Sequence, residues 1–121
     1  MKIFLLVTGI GTLLLFGLPI LLTPMRWARV FKWDIPKDAR LARYFARSLG
    51  CTAVGIGSVA VYFGLQADPP RDFLLVPIIS GVLLAVMHLV GAIERSQPWT
   101  ETAEIPFWLG LAAWGIAVYL G

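Results

Sequence analysis

Polar and apolar positions in this chain separate into long blocks instead of alternating at short range. Four blocks are almost purely apolar: residues 3–22, 49–65, 73–93 and 105–120. A helix needs roughly 20 predominantly apolar residues to cross a hydrocarbon core, within a range of about 17–25. The first and third blocks meet that length outright. The second reaches it by extending upstream to about residue 42, and the fourth by extending to about residue 102. The pattern predicts an all-α integral membrane protein: a four-helix bundle forming a single transmembrane domain over 1–121, with spans near 3–22, 42–65, 73–93 and 102–120. The first block reads as a span, not as a secretory leader. A leader's apolar region is usually only about 7–15 residues, and "LLTPMRW" offers no small-residue cleavage site.

Small residues recur inside the blocks at helical spacing. Gly50, Ala53, Gly57, Ala60 and Gly64 make one stripe of the second span. Gly81, Ala85, His88 and Ala92 make a row in the third, and Gly110, Ala113 and Ala117 a row in the fourth. Lipid tails are as apolar as the helices, so association in a membrane relies on close backbone approach, which small residues permit. The three rows predict one tight bundle with the stripes inward; they do not require a cofactor-sized cavity, tight packing argues against one, and no cofactor is expected. Pro19, Pro77 and Pro106 each remove a helical hydrogen bond and are candidate bends.

Composition and charge narrow the class. The chain is 59% hydrophobic and 14% charged, against about 45–50% and about 25% for soluble domains. The net charge of +3 does not point to nucleic acid, because the basic residues gather at span ends. Arg26, Arg29, Lys32, Lys37, Arg40, Arg43 and Arg47 lie around the first connector and Arg95 in the third. The positive-inside rule then puts these connectors in the cytoplasm and both termini on the periplasmic or extracellular side of a bacterial inner membrane. "TPMRWARVFKW" predicts a short amphipathic interfacial helix over about 24–33, with Thr23 as N-cap and Pro24 in its first turn. Arg26, Arg29, Lys32 and Trp27 are its candidate lipid-headgroup contacts. Cys51 is the only cysteine, which excludes paired-thiol metal or redox chemistry within one chain.

"MHLVGAIERSQPWTETAE", residues 87–104, concentrates the titratable chemistry. His88 sits on the small-residue face of the third span, and an ionisable group at membrane depth is a functional-site hypothesis by default. Glu101, Glu104 and Trp108 are spaced 3 and 4 apart and share a helical face. Thr100 is a candidate N-cap, and the acids suit the positive end of the helix macrodipole. Two uses compete. In one, Arg40, Arg43, Arg47, Glu94, Arg95, Glu101 and Glu104 form a structural charge cluster, with Glu101 or Glu104 paired to an arginine. In the other, His88, Glu101 and Glu104 are acid–base groups. A lone histidine without other convergent ligands is no basis for a haem or metal site, and no H-E-x-x-H, phosphate loop or serine elbow is present.

"RYFARSLGCTAVGIG" together with "HLVGAIERSQPWTETAE" resembles a group of small bacterial four-helix membrane proteins, DoxX-like in broad layout. The resemblance implies a four-span membrane fold and carries no site residue with it. Small multidrug transporters differ in having a glutamate in the first span, which is uncharged here, and sterol-isomerase-like domains spread their histidine and glutamates over several spans. The leading expectation is a non-enzymatic accessory or scaffold subunit, with membrane lipids and other membrane-protein subunits, or itself, as partners and no nucleic acid. A small oligomeric transporter or channel is the second. The third is a membrane enzyme acting on a hydrophobic substrate through His88, Glu101 and Glu104.

Overall fold

A backbone in hydrocarbon has no water to bond, so each peptide group needs an internal partner, and helices provide it. The computed structural model describes all 121 residues and contains helices and turns with no strand. Four helices are long and apolar enough to cross a membrane: α1 (Lys2–Leu22), α3 (Arg40–Leu65), α4 (Leu75–Glu94, with a 3₁₀ lead-in Arg71–Leu74) and the last, which begins at Trp99 and ends at Leu120. Only 17% to 28% of each apolar window is buried, so most of the apolar surface points outward, a pattern compatible with a hydrocarbon environment. Every buried side-chain nitrogen and oxygen has a hydrogen-bond partner.

The chain forms two compact units, Lys2–Ala67 and Asp68–Gly121. The first is a helical hairpin of α1 and α3 joined through α2 (Pro24–Val30). Gly50, Gly57, Ala60 and Gly64 of the expected stripe are buried, with Ala53 half-buried. The close approach is between backbones. A Cβ at Gly50 would lie 2.5 Å from the Leu21 nitrogen, and one at Gly9 2.8 Å from the Val61 nitrogen and 2.9 Å from the Gly57 carbonyl oxygen. Glycine is therefore required where α1 crosses α3.

Inside α1 the helix widens to a π turn over Thr12–Gly17, where the Leu18 N–H bonds the Leu13 carbonyl. Pro19 follows, and because it has no N–H the Leu15 carbonyl loses its α-helical donor. The indole N–H of Trp27 on α2 donates to that carbonyl at 2.8 Å. Trp27→Phe keeps the stack on Phe31, whose ring centroid is 4.4 Å away, but removes the donor. It is expected to cost about 1 kcal/mol, read as a lowered unfolding midpoint of the detergent-solubilised protein. An unchanged midpoint would show that this hydrogen bond contributes nothing.

α2 is shorter than the 24–33 expected for an interfacial helix. It ends at Val30 because Lys32 takes a left-handed backbone, φ 65°, and the Trp33 N–H closes back on the Ala28 carbonyl at 3.1 Å. Lys32 therefore lies beyond the helix. Pro24 stands in the first turn as expected, whereas the Thr23 hydroxyl donates to the Pro19 carbonyl at 3.2 Å and caps nothing. The start of α3 is held by Asp38, which accepts from the Arg40 guanidinium and from the Arg40 N–H. Those two bonds, the side-chain one first, hold the Asp38 carboxyl below its ordinary range. The pair is fully exposed, so it locates the helix end more than it stabilises the fold.

The second unit packs α4 against α6 (Ile105–Leu120), with a single-turn helix α5 (Trp99–Thr102) between them. Gly81, Ala85, His88 and Gly91 form the buried face of α4, and Ala92 is half-buried. On α6 the expected row is wrong: Gly110, Ala113 and Ala117 are exposed, and a Cβ at Gly110 would meet nothing. Its buried face is Trp108, Ala112 and Gly115. Spacing alone leaves the rotation of a helix about its axis open, and here the rotation follows Trp108, which bonds back to the acid one turn earlier.

Candidate functional site

The second hairpin's turn is built to bring three polar side chains together. α4 stops where Arg95 adopts a left-handed backbone, φ 54°, and the Ser96 N–H closes on the Gly91 carbonyl at 3.0 Å. Gln97 then folds back over the helix end. Its amide donates to the His88 carbonyl at 2.9 Å and to the Thr102 hydroxyl at 3.1 Å. Gly91 makes room, since a Cβ there would overlap the Gln97 side chain. Pro98 precedes α5, and Pro106 lies in the first turn of α6. The chain breaks at Ala103 and Glu104 between them, placing Glu101 on one short helix and Glu104 at the head of the next. Thr100, expected as an N-cap, lies inside α5.

His88 is 3% exposed and Glu101 7%, with Glu104 half-buried beside them. The His88 Nδ1 lies 2.7 Å from the Leu84 carbonyl oxygen, one turn back on α4. A carbonyl can only accept, so the hydrogen belongs on Nδ1, and Nε2 is the nitrogen turned to the acids. Nε2 lies 3.0 Å from Glu101 Oε2 and 3.7 Å from Glu104 Oε2. Trp108 donates its indole N–H to the same Glu104 oxygen at 3.0 Å. Its ring centroid is 6.3 Å from that of His88. One donor atom from each of His88, Glu101 and Glu104 lies within 4.8 Å of the others.

No protein-family model, curated protein or solved structure matches this chain.

Chemically the cluster is one imidazole nitrogen and two carboxyl groups, largely buried. It can pass a proton along a short path or ligate a metal ion. The objection to a lone histidine assumed no convergent ligands; the fold supplies two. Of the residues singled out from sequence, His88, Glu101 and Glu104 are brought together, and Trp108 joins them by bonding Glu104 one turn earlier, while the break at 103–104 takes Glu101 off that helix. Among the residues of the expected charge cluster, Arg40 is engaged by Asp38, while Glu94 and Arg95 are exposed at the end of α4. Arg43 and Arg47 line an open groove along α3 with Arg40, Tyr44, Ser48 and Cys51. Arg26, Arg29 and Lys32 are exposed, and the Trp27 N–H is spent on Leu15.

Gln97 is the member of this site that the sequence pattern does not single out. Gly91 lies on the His88 face three residues on, and Gln97 follows the end of the helix by three residues. Only the fold-back of the chain connects these two features.

Proposed function

We propose that this is a multi-pass protein of a bacterial inner membrane whose working centre is His88, Glu101 and Glu104, acting as a small enzyme on a hydrophobic molecule. The basic connector around Arg26 to Arg47 faces the cytoplasm on the positive-inside argument. The same counting of spans puts the His88 end of the second hairpin at the cytoplasmic surface and both termini on the other side. Four apolar spans accord with the DoxX-like layout, which stays part of this proposal.

One observation carries the reading: two carboxylates converge on a single buried imidazole. Fastening α4 to the last span needs one acceptor for Nε2, and Glu101 supplies it. Glu104 brings a second carboxyl group to the same cluster, and two carboxyl groups held together out of water cost stability whenever both are charged. Such a surplus is characteristic of sites shaped for chemistry or ligation. The test compares lipid-soluble extracts by mass spectrometry from cells expressing wild type, Glu101→Gln or His88→Gln at matched levels. At least one species is expected to change with wild type alone. Identical profiles from wild type and both variants would defeat the enzymatic reading.

A second reading, an accessory subunit packed against other membrane proteins, is favoured by the outward apolar faces of all four spans. It predicts a stable hetero-complex on native purification, with the wild-type and variant proteins equally competent in it.

A further inference from the structure

We infer that His88, Glu101 and Glu104 hold one divalent first-row transition-metal ion of the zinc class, with at least one coordination position left for a ligand. This rests on the cluster being the protein's working centre and names the group that would occupy it.

Geometry and charge argue together. The His88 Nε2 and one oxygen of each glutamate form a triangle with sides no longer than 4.8 Å, two of them 3.0 Å and 3.7 Å. An ion about 2.0–2.2 Å from each of three ligands in a tetrahedral arrangement holds them about 3.4 Å apart. The observed sides bracket that value, so small side-chain movements close the site. Nδ1 donates to the Leu84 carbonyl at 2.7 Å, which fixes the ring and leaves Nε2 as the nitrogen directed at the acids, free to ligate an ion that displaces the hydrogen shared there with Glu101. A metal-bound histidine characteristically has its second nitrogen held in this way. Trp108 similarly orients Glu104. Ligation takes an imidazole as the neutral base and carboxyl groups as carboxylates, so one divalent cation held by this set would make a formally neutral site. One imidazole with two carboxylates suits zinc, iron or manganese. Magnesium and calcium take six or more oxygen ligands.

The site lies wholly within the second hairpin. Glu101 and Glu104 come from a turn that two prolines and the Gln97 fold-back hold in place, so the donors are positioned before any ion arrives. Three protein ligands leave a fourth position open, the arrangement of zinc sites that polarise a bound water or substrate oxygen.

The test uses the intact protein in detergent, stripped with a chelator and titrated with Zn²⁺ by calorimetry. Co²⁺ serves as a spectroscopic probe of coordination number. One ion per chain is expected, with visible Co²⁺ bands of four- or five-coordinate intensity. His88→Gln and Glu101→Gln should abolish these bands and weaken Zn²⁺ binding at least 100-fold. Trp108→Phe, which only orients a ligand, should weaken it about 10–100-fold. Cys51→Ala should change nothing. Helical content and monodispersity of each variant are measured alongside, and Glu104→Gln, which can still accept from Trp108, serves if another variant fails to fold. Wild-type binding no tighter than that of the Gln variants, or Co²⁺ bands unaltered by them, overturns the inference. Failure here with a His88-dependent lipid change leaves the enzymatic reading standing. Stoichiometric metal without any lipid change removes the enzymatic reading and leaves the metal site.

Discussion

Leucine at Gly50 is expected to abolish the native crossing of the first hairpin. The added Cβ alone would lie 2.5 Å from the Leu21 nitrogen and 2.7 Å from the Leu21 Cα. These are backbone atoms of another helix and cannot rotate away. Overpacking in a core typically costs about 1–3 kcal/mol, occasionally more. Contact with backbone places Gly50→Leu at or beyond the upper end. Gly57→Leu should follow closely, since its Cβ would approach the Leu13 side chain at 3.0 Å and the Gly9 carbonyl oxygen at 3.1 Å. Two controls lie on the same helix. Gly55 has nothing within 4 Å of an added Cβ, so Gly55→Leu should be neutral or stabilising through better helix propensity. Val59 is 41% exposed, and Val59→Leu should be mild. Unfolding midpoints in detergent distinguish the four. Equal midpoints for Gly50→Leu and Gly55→Leu would remove the argument for backbone contact between α1 and α3.

His88→Leu is expected to cost about 3–5 kcal/mol, the usual consequence of removing one member of a buried charged or hydrogen-bonded pair. Glu101 would keep its burial and lose the imidazole 3.0 Å from it, with Glu104 still nearby. His88→Gln should cost less, because an amide can still donate to a carboxylate. Part of the cost of His88→Leu is the lost His88–Glu101 contact, so adding Glu101→Gln should recover part of it, a non-additivity readable in a double-mutant cycle. If the double variant is as unstable as the sum of the singles, His88 and Glu101 do not act as a unit. The pairing at 3.0 Å would then have little energetic weight.

The glutamates illustrate how local sequence and long-range contact divide the work. Their spacing to Trp108 put the three on one face, and the structure bonds Glu104 to Trp108. Their partner was not legible in the same way. Opposite charge is visible in composition and suggests an arginine as partner, whereas nothing in composition points to an imidazole. The observed imidazole lies 13 residues from Glu101, across a turn that Pro98, Pro106, Gly91 and Gln97 shape together. Pairing across such a turn depends on the angle at which α5 leaves α4, and no single residue encodes that angle.

The sequence by itself determined that the chain is all helix, where its four long apolar helices lie, and that glycines line the contact face of α3. Hydropathy and small-residue spacing are properties of one segment, and in a chain this apolar they leave no competing structure. Only the tertiary structure decided that α1 packs on α3 and α4 on α6 as separate hairpins, which face of α6 turns inward, and where Glu101 and Glu104 go. Helix rotation and partner choice depend on which backbones can approach most closely and which buried polar atoms then need one another. Those quantities exist only between segments, after the chain has folded.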